Sequence, residues 1–145
     1  MGTSTDAILY YGYAPNWGID CDAPPWHDLN PDEADLDHDE WLAGLHGVQK
    51  PAEYEPESFG AYLEKKREVV AADGIEFIQH CSSDSIMFGV AATGSVVRAF
   101  RGSPAAVDIA VLIEWRDRLN DFLLLAGLHS AALGRRGWWL VSYWG

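Results

Sequence analysis

Residues 75–101 read IEFIQHCSSDSIMFGVAATGSVVRAFR, and this stretch decides the fold class. Three runs rich in β-branched and aromatic residues, 75–81, 86–92 and 95–101, are separated by Ser82-Ser83-Asp84-Ser85 and by Thr93-Gly94. Short polar or glycine-bearing breaks between apolar runs are turn signals, and turns this short predict an antiparallel meander. Ile75, Phe77, Ile86, Phe88, Val90, Val96 and Phe100 fall at period two, as expected when one face of a sheet packs on helices. His80 then reads as a strand residue at the sheet surface.

Upstream, residues 56–73 place Phe59, Tyr62, Leu63, Lys66 and Val70 at helical spacing, with Pro56 at the start, a charged opposite face and Gly74 as the stop. Downstream, Ser103-Pro104 opens the longest predicted helix. Its stripe is Ile109, Leu112, Trp115, Leu119, Phe122, Leu123 and Ala126, opposite Glu114, Asp117, Arg118 and Asp121. That helix can run on through Leu133 to Gly134, which would put Arg135 and Arg136 at the negative end of its dipole. Residues 137–144 (GWWLVSYW) form a final strand, and residues 7–13 (AILYYGY) a first one. Between the first strand and residue 56, Asn30-Pro31-Asp32-Glu33 offers a capping box, and Asp37 with Glu40 offers a start one turn later. The like-charged i,i+4 pairs Glu33/Asp37 and Asp35/Asp39 favour the later start, leading through Trp41, Leu42 and Leu45 to Gly47. The order β-α-α-β-β-β-α-β predicts a single α+β domain over residues 1–145, a mostly antiparallel sheet of about five strands covered by three helices.

At 145 residues and 48% hydrophobic, the chain is long and apolar enough for one packed core. Its net charge of −12 argues against tracking nucleic-acid phosphates or an anionic membrane, so no direct nucleic-acid or membrane contact is expected. No apolar run reaches the ~18–20 residues of a membrane span, and residues 1–6 lack the parts of a signal peptide, which predicts a soluble cytoplasmic protein. Cys21 and Cys81 are too few for a disulfide scaffold or a four-thiolate zinc site.

The charge is unevenly placed. Residues 1–49 hold ten carboxylates and no Lys or Arg, whereas the chain from Lys50 onward is nearly balanced. Nine of the ten lie between positions 20 and 40, together with Pro24, Pro25 and Pro31, which hold the chain extended or turning. Runs of like charge commonly serve as solvated faces. Disordered acidic tracts are poor in aromatics, however, and Trp17, Trp26 and Trp41 point to a loop anchored on the domain or to an acidic and aromatic contact surface. The candidate partner-binding residues are therefore Asp20, Asp22, Trp26, Asp28, Asp32, Glu33, Asp35, Asp37, Asp39 and Glu40. Trp26, after two prolines in this loop, is expected to be peripheral, and Trp115 to be core.

The motifs of familiar chemistries are missing or incomplete. Asp35-Leu36-Asp37-His38-Asp39 alternates carboxylates like a calcium loop, but the sixth position is Glu40 where glycine is needed and the twelfth is His46 where glutamate is needed. Cys21, His27, His38, His46, His80, Cys81 and His129 lack zinc-site spacing. His80 and Cys81 are neighbours on a strand and point to opposite faces, which disfavours a thiol nucleophile there. Glu53 with Glu55 or Glu57 is unspecific as a hydrolytic pair, and no nucleophile-elbow or phosphate-loop pattern occurs. Arg98, Arg101, Arg135 and Arg136 read as balancing charges, with an anion site as the other reading. No catalytic residue, resident metal or cofactor is expected.

The opening Ser4-Thr5-Asp6-Ala7-Ile8-Leu9-Tyr10-Tyr11-Gly12-Tyr13 resembles that of uncharacterised small acidic proteins of tailed bacteriophages and prophages. The resemblance covers about ten residues and transfers no functional residue. It implies a phage accessory protein, a class in which inhibitors of host enzymes and defence systems, anti-CRISPR proteins among them, are plausible. The leading expectation is a non-enzymatic protein that engages a basic, nucleic-acid-binding site on a host protein. The alternatives are a divalent-metal-supported domain or small hydrolase using Asp and His of the 20–40 loop, and an accessory protein that homodimerises through Trp138, Trp139 and Trp144.

Overall fold

The computed structural model describes residues 5–18, 21–26, 38–82 and 84–144. It is α+β, with a five-stranded sheet, and contacts group the chain into two compact units, residues 1–24 with 75–145 and residues 25–74. Among the described residues no helix is long and apolar enough to cross a membrane.

In the first unit, β1 (Thr5–Gly18), β2 (Ile75–Ser82), β3 (Ile86–Ala92), β4 (Val97–Ala99) and β5 (Gly137–Trp144) lie in the order β3-β2-β5-β1-β4. A further pairing of β3 with β1 closes four of them into a ring. One edge of β1 carries β5 over its first half, from Thr5↔Trp144 to Gly12↔Gly137. Its other edge carries β4 (Ala7↔Ala99 to Leu9↔Val97) and then β3 (Gly12↔Ala91 to Gly18↔Met87). β2 pairs antiparallel with β3 along its length and meets β5 in parallel at Cys81↔Tyr143 and Ser82↔Trp144.

The expected meander therefore holds for β2 and β3 but not beyond. β4 does not fold back on β3; it prolongs β3 along β1, and Ser95 bridges the interruption. The buried Ser95 hydroxyl accepts from Tyr11 N–H at 3.1 Å and donates to the Ala92 carbonyl at 2.6 Å, replacing the lost ladder bonds.

Closure gives the sheet two buried faces. Ile8, Tyr10, Ile78 and Ala91 form the inner cluster, with Val96, Trp139, Val141 and Tyr143 packed against it. Gly12 and Gly89 permit the closure: a Cβ on Gly12 would overlap the Val90 carbonyl oxygen, and one on Gly89 would overlap the Tyr10 hydroxyl. On the outer face lies α3 (Ile113–Ala126), which buries Leu119 and Phe122 and sets Phe122 edge-on to Phe77 at 6.0 Å. It stops at left-handed Gly127, whose N–H reaches the Leu123 and Leu124 carbonyls, and a single turn, α4 (Ser130–Leu133), follows.

Three expectations for this unit are corrected. Residues 104–112 are irregular and exposed, so Ile109 and Leu112 lie outside α3, and the helix ends well short of Gly134. The run Val107, Ile109, Val111 is β-branched at alternate positions, and the Asp108 carboxylate accepts from Ala110 N–H, a local bond that competes with the helix. Trp115 is half-buried, tilted against Tyr11 and edge-on to Trp138 instead of lying in the core. His80 is buried, at 9% exposure, because its side of β2 faces the ring interior with Ile78.

The second unit contains α1 (His38–Leu45) and α2 (Pro56–Asp73), the latter with the predicted bounds and Gly74 at φ 76° as its cap. Both predicted starts of α1, at Asn30-Pro31 and at Asp37, lie outside the described residues, and the helix closes through Gly47 at φ 81°. His46 Nε2 and Asp73 Oδ1, 2.8 Å apart, tie the turn after α1 to the end of α2.

Candidate functional site

Of the ten candidate partner-binding residues, Asp20, Asp28, Asp32, Glu33, Asp35 and Asp37 lie outside the described residues, as does His27. Asp22 is exposed, its backbone N–H bonded to the Asn16 carbonyl at 2.9 Å. Asp39 and Glu40, at the start of α1, are half-buried.

Trp26 is not peripheral. It is 1% exposed, its ring edge-on to His38 at 5.7 Å and tilted against Trp41 at 5.6 Å, so it presents no surface to a partner. Proline at positions 24 and 25 removes backbone freedom ahead of it, and an indole is the largest apolar payload a side chain offers. The consequence is geometric. Trp26 and His38 are in ring contact, and five of the residues between them in sequence, Asp28, Asp32, Glu33, Asp35 and Asp37, are acidic.

The His38 Nδ1, 3.0 Å from Asp39 Oδ1, holds the Asp39 carboxyl below its ordinary range by hydrogen bonding, with burial opposing and the charges of His38 and Lys66 adding to the effect. Lys66 and Arg67 of α2 line a groove of about 370 Å³ with Asp39, Leu63 and Val70. Asp39 thus has cationic neighbours within its own unit.

Among the described residues no three His, Cys, Asp or Glu side chains converge as a cation cage would require. In the first unit Cys81 is half-buried, in the left-handed region at φ 76°, where a non-glycine residue carries ~1–2 kcal/mol of strain. The adjacent buried His80 has an Nε2 without a hydrogen-bond partner among the described residues, and burial pushes its imidazole pKa down. Of the four arginines read as balancing charges or an anion site, Arg98, Arg101 and Arg135 are exposed and Arg136 is half-buried. Arg136 donates to Asn120 Oδ1 at 2.7 Å, and none of the four forms an ion pair among the described residues. The same arginine lines an open cleft of about 700 Å³ with Tyr13, Asn120, Leu128, His129 and Ser130. The alternation of Trp138, Trp139 and Trp144 also resolves. Trp138 sets its ring edge-on to Tyr11 and donates to the Ile109 carbonyl at 3.0 Å, Trp139 packs on the inner cluster, and Trp144 is half-exposed.

The burial of Trp26 is not encoded by its spacing, although three indoles in the acidic region pointed to a loop anchored on the domain. The Cys81 backbone, by contrast, left no mark in the sequence. Comparison with family models, curated proteins and solved structures gives no match to this chain.

Proposed function

We propose that this chain is a non-enzymatic acidic binding protein whose segment 20–40 engages a Lys/Arg-lined groove on another protein, occupying a site shaped for nucleic acid. The observation that carries the reading is the charge distribution: ten carboxylates and no cation over residues 1–49, against near balance in the rest. The packing of Trp26 on His38 and Trp41 supports it, because five carboxylates fall in sequence between two side chains that are in contact. Charges held together sum their fields within a Debye length of ~8–10 Å, which steers a basic partner and stands in for a phosphate row. In this reading the indoles anchor the segment and do not mimic bases. The weak likeness of residues 4–13 to phage accessory proteins is compatible with a host protein as the target, and a defence-system inhibitor is one such role.

The test is neutralisation of Asp28, Asp32, Asp35 and Asp37 to Asn, leaving Asp39 intact because His38 binds it. A partner recovered from host lysate is titrated with each form at two ionic strengths, with and without competing duplex DNA. The proposal expects unchanged or slightly raised stability, weaker binding, a flatter salt dependence and displacement by DNA. Glu57→Gln with Glu64→Gln, both exposed on α2, serves as the control. Equal affinity of the neutralised and wild-type forms at both salt concentrations would remove the reading.

A further inference from the structure

The outer face of β4, β1 and β5 continues past the Tyr11, Trp115 and Trp138 cluster into rows with no charged side chain. Val97, Leu9 and Leu140 are in register, then Ala99, Ala7 and Ser142, and Trp144 ends the β5 column. Leu140 is 72% exposed and Trp144 50%. Residues 109–115 lie against the same face, since the Ile109 carbonyl accepts from Trp138 Nε1 at 3.0 Å and the Trp115 ring meets Trp138 at 5.9 Å. Within that stretch Ile109, Leu112 and Ile113 are 69%, 50% and 72% exposed. We propose that this face is a two-fold interface between copies of the chain.

The area favours an interface. Taking ~180 Å² for a fully exposed Leu or Ile and ~250 Å² for Trp, these five side chains offer roughly 600 Å² of apolar surface, the upper end of what a monomer shows and most of the ~800 Å² each partner brings to a standard interface. Charge selects the partner. A basic groove gains nothing from uncharged rows, whereas a second copy presents an equally neutral face. The margins of the face are complementary. Arg101 follows β4, Asp108 and Glu114 flank the 109–113 stretch, and all three are exposed without an ion-pair partner among the described residues. A two-fold arrangement can set one copy's Arg101 against the other's carboxylates.

Sedimentation equilibrium of the full chain from 1 to 100 µM tests this, with far-UV circular dichroism and urea midpoints as folding controls. Wild type is expected at twice the chain mass. Leu140→Glu, and separately Ile113→Glu should the strand variant not fold, should weaken the dimer at least 100-fold. Leu124→Glu, 82% exposed on α3 beside the Tyr13 cleft, should leave it intact. A wild-type monomer at 100 µM, a dimer unaffected by folded Leu140→Glu and Ile113→Glu variants, or equal loss with Leu124→Glu would each overturn the proposal.

Discussion

Gly89→Ala is the most informative single change in the closed sheet. Gly89 pairs with Ile78 and faces the ring interior, where a Cβ would overlap the Tyr10 hydroxyl oxygen and stand 2.7 Å from Tyr10 Cζ. The phenol has nowhere to move, since Tyr10 is 0% exposed and its hydroxyl donates to the Tyr13 carbonyl at 2.9 Å. Without a clash the substitution would stabilise by ~0.4–1 kcal/mol through the unfolded chain. Overpacking costs ~1–3 kcal/mol and the displaced hydrogen bond ~0.5–1.5 kcal/mol, so the net expectation is a loss of about 2–3 kcal/mol. With a urea m-value of ~1–3 kcal/mol/M, the midpoint falls by roughly 1–2 M. Tyr10→Phe alone should cost about 1 kcal/mol. In the double variant the overlapped oxygen is gone, so the summed losses should exceed the observed one by at least ~1 kcal/mol. Additivity within ~0.5 kcal/mol, or a wild-type midpoint for Gly89→Ala, would refute the closed packing of β3 on Tyr10.

Trp26→Ala should cost ~3–5 kcal/mol, as buried aromatic truncations do, while Trp144→Ala, half-exposed, should cost under ~1 kcal/mol; denaturant midpoints in the opposite order would contradict the anchoring of the acidic segment. Because burial lowers the His80 pKa, the fold favours neutral imidazole, and stability is intact above the unfolded value of ~6.5 and declines as pH falls below it toward the folded value. Urea midpoints at pH 7 and 5 should therefore fall further for wild type than for His80→Gln, and parallel profiles would place His80 in contact with water.

Legibility from sequence followed the periodicity of each element. Residues 56–73 show one apolar stripe, a proline at the start and a glycine at the stop, and the helix has those bounds. β2 and β3 were legible from their turns. The ring was not, because closure buries both faces of β1, and Tyr10 and Tyr11 are both buried side by side where alternation would have exposed one. The glycines that allow it, Gly12 and Gly89, carry no pattern of their own. Residues 104–112 satisfied helical spacing at Ile109 and Leu112, yet period-two β-branching across Val107, Ile109 and Val111 prevailed, with the Asp108 turn adding to it. For the candidate site, composition located the carboxylates. Which indole faces inward depends on the contact of Trp26 with His38 and Trp41, a pairing of rings across positions 27–37 that spacing does not encode.

Hydrogen–deuterium exchange of the full chain, free and bound to its recovered partner, addresses the central claim most directly. The account predicts protection concentrated in residues 20–40, reduced when salt is raised, with β5 and residues 109–113 unchanged by the partner. Protection confined to β5 and residues 109–113, with segment 20–40 exchanging alike in both states, would contradict it.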